Sequence, residues 1–215
     1  MTTAELPTTK GQQTRQRILA AAAPLFNQKG FAGASMQEIL DATGLEKGGL
    51  YRHFPTKQHL AEEALRYTMA RSVRTRTEPL DPTQTAPDQL RTLIARFVTA
   101  PSTIPGGCPL MNTAIDADDT NPNLRALARH AVEDWKTRLI QIIDRGIAAG
   151  HIRPETQPRQ IANTIIATLE GALMLSRLEA ATTPLEDARD TLDHVLRAIT
   201  PKSQRHPQRR RTSHQ

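Results

Sequence analysis

The chain has 215 residues, of which 38% are hydrophobic and 23% charged, enough for one moderate core or two small ones in a composition ordinary for a globular protein. A single cysteine excludes an internal disulfide, and with no CxxC or clustered-histidine spacing neither zinc nor another cofactor is implied. No apolar run approaches the length of a membrane span and the N-terminus lacks the apolar core of a secretory signal, so no membrane partner and a cytoplasmic location are expected.

The net charge of +6 is unevenly placed: residues 1–60 carry seven Lys and Arg against four acids, residues 61–200 sixteen against eighteen, and residues 201–215 five against none. The positive excess therefore lies at the front and on the tail, as in a chain that meets nucleic acid there. Residues 1–9 lack periodicity and are expected to be disordered. A first helix over 10–29 places Ile18, Ala22, Leu25 and Phe26 on one face; Pro24 inside it removes an amide and bends it, and Gly30 caps its end. Ser35 with Glu38 is a capping box, so a second helix opens at Met36 and buries Met36, Ile39 and Leu40. Gly44 ends it, and Leu45 turns inward to set the angle of the next. That third helix runs over about 47–54, where Pro55 stops it. Leu50 and Phe54 point inward and leave Lys47, Gly48, Gly49, Tyr51, Arg52 and His53 outward or flanking, a short basic helix suited to a DNA major groove. Thr56 caps a fourth helix that turns Leu60, Ala64, Tyr67 and Met69 inward as far as about residue 76.

A loop with Pro79 and Pro82 precedes a fifth helix, opened by Pro87 and carrying Leu90, Leu93, Ile94 and Phe97. A second loop over 101–107 leads to Cys108-Pro109-Leu110-Met111 and a short sixth helix. Asn121 caps the seventh and Gly150 ends it; Leu124, Leu127, Ala131, Trp135, Leu139, Ile142 and Gly146 recur at helical spacing over roughly 42 Å. The eighth, 158–180, is apolar almost all round between Ile161 and Leu175. The ninth opens on Thr183-Pro184-Leu185-Glu186, a capping box, and buries Leu185, Ala188, Leu192, Val195, Leu196 and Ile199. The fold class is all-α with about nine helices, and two consecutive apolar helices near the end of a small chain need a partner.

The order Leu25-Phe26-Asn27-Gln28-Lys29-Gly30-Phe31, Ser35-Met36, Gly44-Leu45, Lys47-Gly48-Gly49-Leu50-Tyr51, His53-Phe54 and Thr56-Lys57 resembles the DNA-binding domain of the TetR (tetracycline-repressor) family of bacterial regulators. Gly106-Gly107-Cys108-Pro109-Leu110, the Ala149-Gly150-His151-Ile152-Arg153-Pro154 turn and Glu170-Gly171-Ala172 resemble its C-terminal regulatory domains, so the resemblance covers residues 10–200. Two positions depart from the commoner pattern. Glu46 stands where Ser or Thr usually caps the recognition helix, and Gly49 where a small hydroxyl residue often reads a base.

The resemblance implies a helix-turn-helix DNA-binding domain over 10–57, a helical effector-binding and dimerisation domain over 58–200 and a basic tail over 201–215. Its implied function is a homodimeric repressor, released from a palindromic operator by a small apolar effector. DNA contact is implied for Ser35, Lys47, Gly48, Gly49, Tyr51, Arg52, His53 and Lys57. The last two helices would form a four-helix bundle with a second subunit through Ile165, Leu169, Gly171, Leu192, Val195 and Leu196. Phe97, Met111, Trp135, Leu139 and Met174 are the expected effector lining, with His130 as a polar contact. Plainer roles stand beside these: a core aromatic for Tyr51 and Trp135, a solvated face for the cations, and for Cys108 either an electrophile or oxidant sensor or a small buried residue at a helix start. An enzyme is disfavoured, since no nucleophile elbow, P-loop, dinucleotide glycine pattern or metal-ligand spacing occurs. The rival within DNA binding is a constitutive architectural dimer without effector.

Overall fold

The computed structural model describes residues 9–77, 80–100, 102 and 104–202, which form nine helices and no strand. They are α1 (Lys10–Gly33), α2 (Met36–Thr43), α3 (Lys47–His53), α4 (Lys57–Thr77), α5 (Ala86–Thr99), α6 (Pro109–Asp116), α7 (Pro122–Ala148), α8 (Pro158–Glu179) and α9 (Thr183–Ile199). The chain divides into two units, Met1–Glu78 with Ala100–Asp134 and Pro79–Thr99 with Trp135–Gln215. This differs from the cut expected after residue 57: α4, α6 and the first half of α7 belong with the helix-turn-helix, because α4 packs along α1 and α6 against both. The remainder of the tail, beyond Lys202, lies outside the described residues, as do residues 1–8 of the N-terminal stretch expected to be disordered.

In the first unit the ends of the helices are set by local chemistry. Thr9 belongs to the fold rather than to a disordered end: its hydroxyl accepts from the Gln12 amide at 3.2 Å and its own amide donates to the Gln12 side chain at 2.8 Å, a capping box that the sequence reading overlooked. Gly30, at φ 72° and ψ 175°, breaks α1 as expected, and a further turn follows it. Ser35 and Glu38 form the reciprocal box of α2, and Gly44, at φ 63°, closes that helix. Ile18, Ala22, Ile39, Leu50, Phe54 and Leu60 are buried together as the core beneath the turn. On α4 two adjacent stripes are buried, Leu60 and Ala64 in that core, Ala61 and Leu65 with Ala117 and Leu124 in a second cluster. Burial on both stripes fixes the rotation of α4 about its axis.

The second unit joins α5, the later half of α7, α8 and α9. Gly146 is required for its closest approach: an added Cβ would lie 2.6 Å from Ala86 Cβ and 2.7 Å from Ile152 Cδ1. Arg91 of α5 donates to Asp193 of α9 at 2.7 Å and to Asp88 at 2.9 Å. Burial opposes ionisation of Asp193, but the Arg91 hydrogen bond and the charges of Arg91 and Arg197 outweigh it and hold the carboxyl below its ordinary range. The cap of α9 is Thr182, one residue before the expected one; its hydroxyl donates to Glu186 Oε1 at 2.9 Å. One expectation about membranes is corrected. By length and composition α8 does meet the requirement for a span, with mean hydropathy 1.2 over 18 residues, because the apolar face packed on α9 and the rest of the unit is continuous with further apolar residues outside.

Candidate nucleic-acid interface

Seven residues make up α3, and its sequence leaves the surface bare. Glu46 precedes it without making a side-chain cap, so the first-turn amides are not covered by that carboxylate. Gly48 and Gly49 follow, and a Cβ built on either meets nothing within 4 Å. Lys47, Gly48 and Arg52 are exposed, while Gly49, Tyr51 and His53 are half-buried at the edge of the core that holds Leu50 and Phe54. The result is a helix whose outer face is backbone and cation.

Tyr51 packs against the core with its ring, a position compatible with a wet hydroxyl at the rim. Ser35 is exposed, but its hydroxyl is occupied by the capping box, accepting from the Glu38 amide at 3.1 Å and donating to Glu38 Oε2 at 2.9 Å. Lys29 also hydrogen-bonds Glu38. Led by that Lys29 bond, and with the Ser35 amide and hydroxyl adding to it, these contacts lower the Glu38 carboxyl from its ordinary 4.5 to about 2. Lys57 is less free than its sequence position suggests: its ammonium donates to Ala32 O at 3.3 Å and sits 4.7 Å from the centre of the Phe31 ring. It ties the start of α4 to the end of α1.

Arg15 is the residue that sequence reasoning missed. Its guanidinium lies 4.4 Å from the Phe54 ring centre, donates to His53 O at 3.3 Å and pairs with Glu63 at 2.8 Å. It thus satisfies a C-terminal carbonyl of α3 and braces that helix against α4. Partners 38 and 48 positions away leave no local pattern to read.

The chain is similar to known proteins. Residues 18–64 match the family described as "Bacterial regulatory proteins, tetR family", and residues 86–192 match "Tetracyclin repressor-like, C-terminal domain". A solved TetR transcriptional regulator from Chloroflexus aurantiacus J-10-FL is 40% identical with a TM-score of 0.84, over 89% of this chain and 98% of that one. The chain belongs to the TetR family of transcriptional regulators. A TetR-family regulator from Cytophaga hutchinsonii is similar at 35% identity and a TM-score of 0.81, over 92% of this chain and 100% of the other. The HTH-type transcriptional repressor DhaR of Mycobacterium sp. (strain GP1) is 25% identical over 191 residues, 88% of this chain and 94% of that protein. These relatives are regulators of transcription and not enzymes.

For this TetR-family regulator the structure sorts the remaining expected residues. Phe97 and Trp135 meet in a parallel stack, ring centres 5.8 Å apart, and Leu139 is buried one turn further along α7. Met111 is half-buried on α6 in the other unit. His130 on α7 and Met174 on α8 are exposed in the single chain. The residues expected at the interface differ in their burial within one chain. Ile165, Leu169, Leu192 and Leu196 are 0–2% exposed within the single chain, because α8 and α9 pack those faces on each other and on α5. Gly171 and Val195 are half-buried. Cys108 is buried at the start of α6, the environment of an inert thiol rather than an accessible one.

Proposed function

We propose that this regulator is a homodimeric repressor that reads a two-fold-related operator with α3 and leaves it when a small apolar effector binds the second unit. The observation that carries the reading is the bare N-terminal half of α3, where Gly48 and Gly49 let backbone approach base edges and the exposed Lys47 and Arg52 flank it. Such a helix reads only a few base pairs, so a two-fold pair set one groove repeat of about 34 Å apart supplies the rest of the specificity. Lys47 and Arg52 contact phosphate, Tyr51 and His53 line the rim, and Lys57 holds the turn between α3 and α4. The name of DhaR, a repressor, supports the sign of regulation.

The effector site is centred on the Phe97–Trp135 stack with Leu139. An apolar molecule beside Trp135 acts on α7, which runs unbroken from one unit into the other. Release requires that it prefer the DNA-incompetent state, and a 100-fold preference supplies about 2.7 kcal/mol per site. The second subunit is held by the face of α8 that this chain leaves uncovered, Gly171, Met174, Leu175 and Leu178, spaced as one helical stripe.

The test of the DNA reading is fluorescence anisotropy with DNA from upstream of the regulator's own gene. Lys47→Ala with Arg52→Ala removes two exposed cations and leaves the core untouched. Specific affinity is expected to drop and the slope of log affinity on log salt to flatten by about 3.6, two phosphate contacts being lost in each of the two subunits. An unaltered affinity and slope would place the DNA surface elsewhere.

A further inference from the structure

A cavity of about 310 Å³ lies inside the first unit, between α1, α4 and α6, at the lower end of the roughly 300–1,000 Å³ range of small-molecule sites. None of the residues assigned above to the effector lines it. Its walls are chemically divided. Phe26 and Phe31, stacked 6.4 Å apart with their planes at 14°, line it together with Ala61 and Leu65 of α4. From α6 come Thr113 and the Asp116 carboxylate.

The gap is held open rather than left by poor packing. The Asn112 side-chain amide donates to Asn27 O at 3.1 Å and to Asn27 Oδ1 at 3.0 Å, and Asp116 Oδ2 accepts from the Phe31 amide at 2.8 Å. Residues 112 and 116 are one turn apart, so two polar ties fix the face of α6 against the end of α1. Gly30 permits the second tie: a Cβ there would lie 2.5 Å from Asp116 Oδ1. Closing α6 onto the cavity would break both, the Asn27–Asn112 tie a half-buried hydrogen bond and the Phe31–Asp116 tie an exposed one. At the mouth Ile115 is 72% exposed, an apolar side chain with no cover. Lys29, the cation on the rim, is taken by Glu38, and among the described residues Asp116 has no ion-pair partner.

We propose that this cavity binds a small aromatic or aliphatic amine, its apolar body against Phe26, Phe31 and Leu65 and its ammonium on the Asp116 carboxylate. The Asp116 carboxylate attracts the ammonium, the Phe31 face already carrying that of Lys57, and the open mouth lets the ligand's charge keep part of its hydration. An anion of the same shape meets the carboxylate unfavourably. The site is separate from the effector reading of the second unit and stands or falls without it.

The experiment compares three probes of one shape, tryptamine, tryptophol and indole-3-acetate, titrated by calorimetry into the full chain. Tryptamine is expected to bind saturably and roughly tenfold or more tighter than the other two. Asp116→Asn, which keeps an acceptor for the Phe31 amide, brings tryptamine down to the level of tryptophol. Thr113→Phe fills the space and abolishes binding of all three, while Trp135→Ala leaves tryptamine binding unchanged. Should Thr113→Phe fail to fold, the chemical shifts of Phe26 and Phe31 on tryptamine addition take its place. Absence of saturable tryptamine binding, equal affinity for the three probes, indifference to the two variants or shifts confined to Trp135 would each overturn the proposal.

Discussion

Glu38 shows how one side chain serves two structures. It closes the capping box of α2 through Ser35 and reaches back to Lys29 near the end of α1, so it sets where the helix-turn-helix begins and ties it to the preceding helix. Its folded carboxyl titrates near 2 against an ordinary 4.5. The sign follows from the depression: the contribution to stability is complete above about 4.5 and is lost as pH falls toward 2, because the folded state then binds the proton less readily than the unfolded one. Comparing the unfolding midpoints of the parent and Glu38→Gln from pH 7 to pH 2 should show an advantage for the parent at neutral pH that shrinks through this window. An advantage independent of pH would mean that the carboxylate's charge is not what matters. Arg15 and Lys57 act similarly by position, each a cation held against a ring and a backbone carbonyl.

Among the described residues the left-handed positions are glycines with one exception, and it has a measurable consequence. Gly44 and Gly150 adopt the left-handed conformation past α2 and α7, at φ 63° and 69°, where glycine is unstrained. Past α8 the same role falls to Ala180, at φ 50° and ψ 39°, and a Cβ in that region is strained. Replacing Ala180 by Gly should therefore stabilise the protein by about 1 kcal/mol, less the greater freedom that glycine gives the unfolded chain. Urea unfolding is the check: a higher midpoint with the same dependence on denaturant is expected, and a lower one would show that the alanine's contacts outweigh its strain. The tight turn from α8 to α9 positions the latter so that Leu185, Ala188, Leu192 and Leu196 are buried against α8 and α5.

The two units each bury their own core, and what remains exposed then indicates how copies assemble. Leu192 and Leu196 look from their spacing like a seam for a second chain, but they are 1% and 0% exposed in one chain; placing Asp there would damage the protomer and report nothing about the dimer. Leu175 and Leu178 are 44% and 77% exposed, so an aspartate at either costs a lone protomer little. Within a dimer both charges would be buried without a partner, at several kcal/mol. Sedimentation of Leu175→Asp with Leu178→Asp should show a dimer weakened by roughly a hundredfold or more, about 2.7 kcal/mol, with unchanged helicity. A dimer as tight as the parent's would take this face of α8 out of the interface.

From the sequence alone the nine helices were readable, together with the helix-turn-helix and the family to which it belongs. Their determinants are local: the Ser35–Glu38 box, Gly30 and Gly44 as terminators, Pro55 as a stop, and apolar residues at helical spacing. The outward position of Lys47, Gly48 and Arg52 follows from the same periodicity, since burying Leu50 and Phe54 leaves them no other side. Tertiary structure decided which of two apolar faces a helix shows to its own chain and which to the outside. Periodicity marks both faces of α8 alike, so Ile165 and Leu169 could not be told from Leu175 and Leu178 until α9 and α5 covered one of them. It also decided every contact between distant positions. The Arg15 brace, the Asn27–Asn112 tie and the Phe31–Asp116 bond join residues 38 to 85 positions apart, and such partners are chosen by how helices pack, which no window of sequence contains.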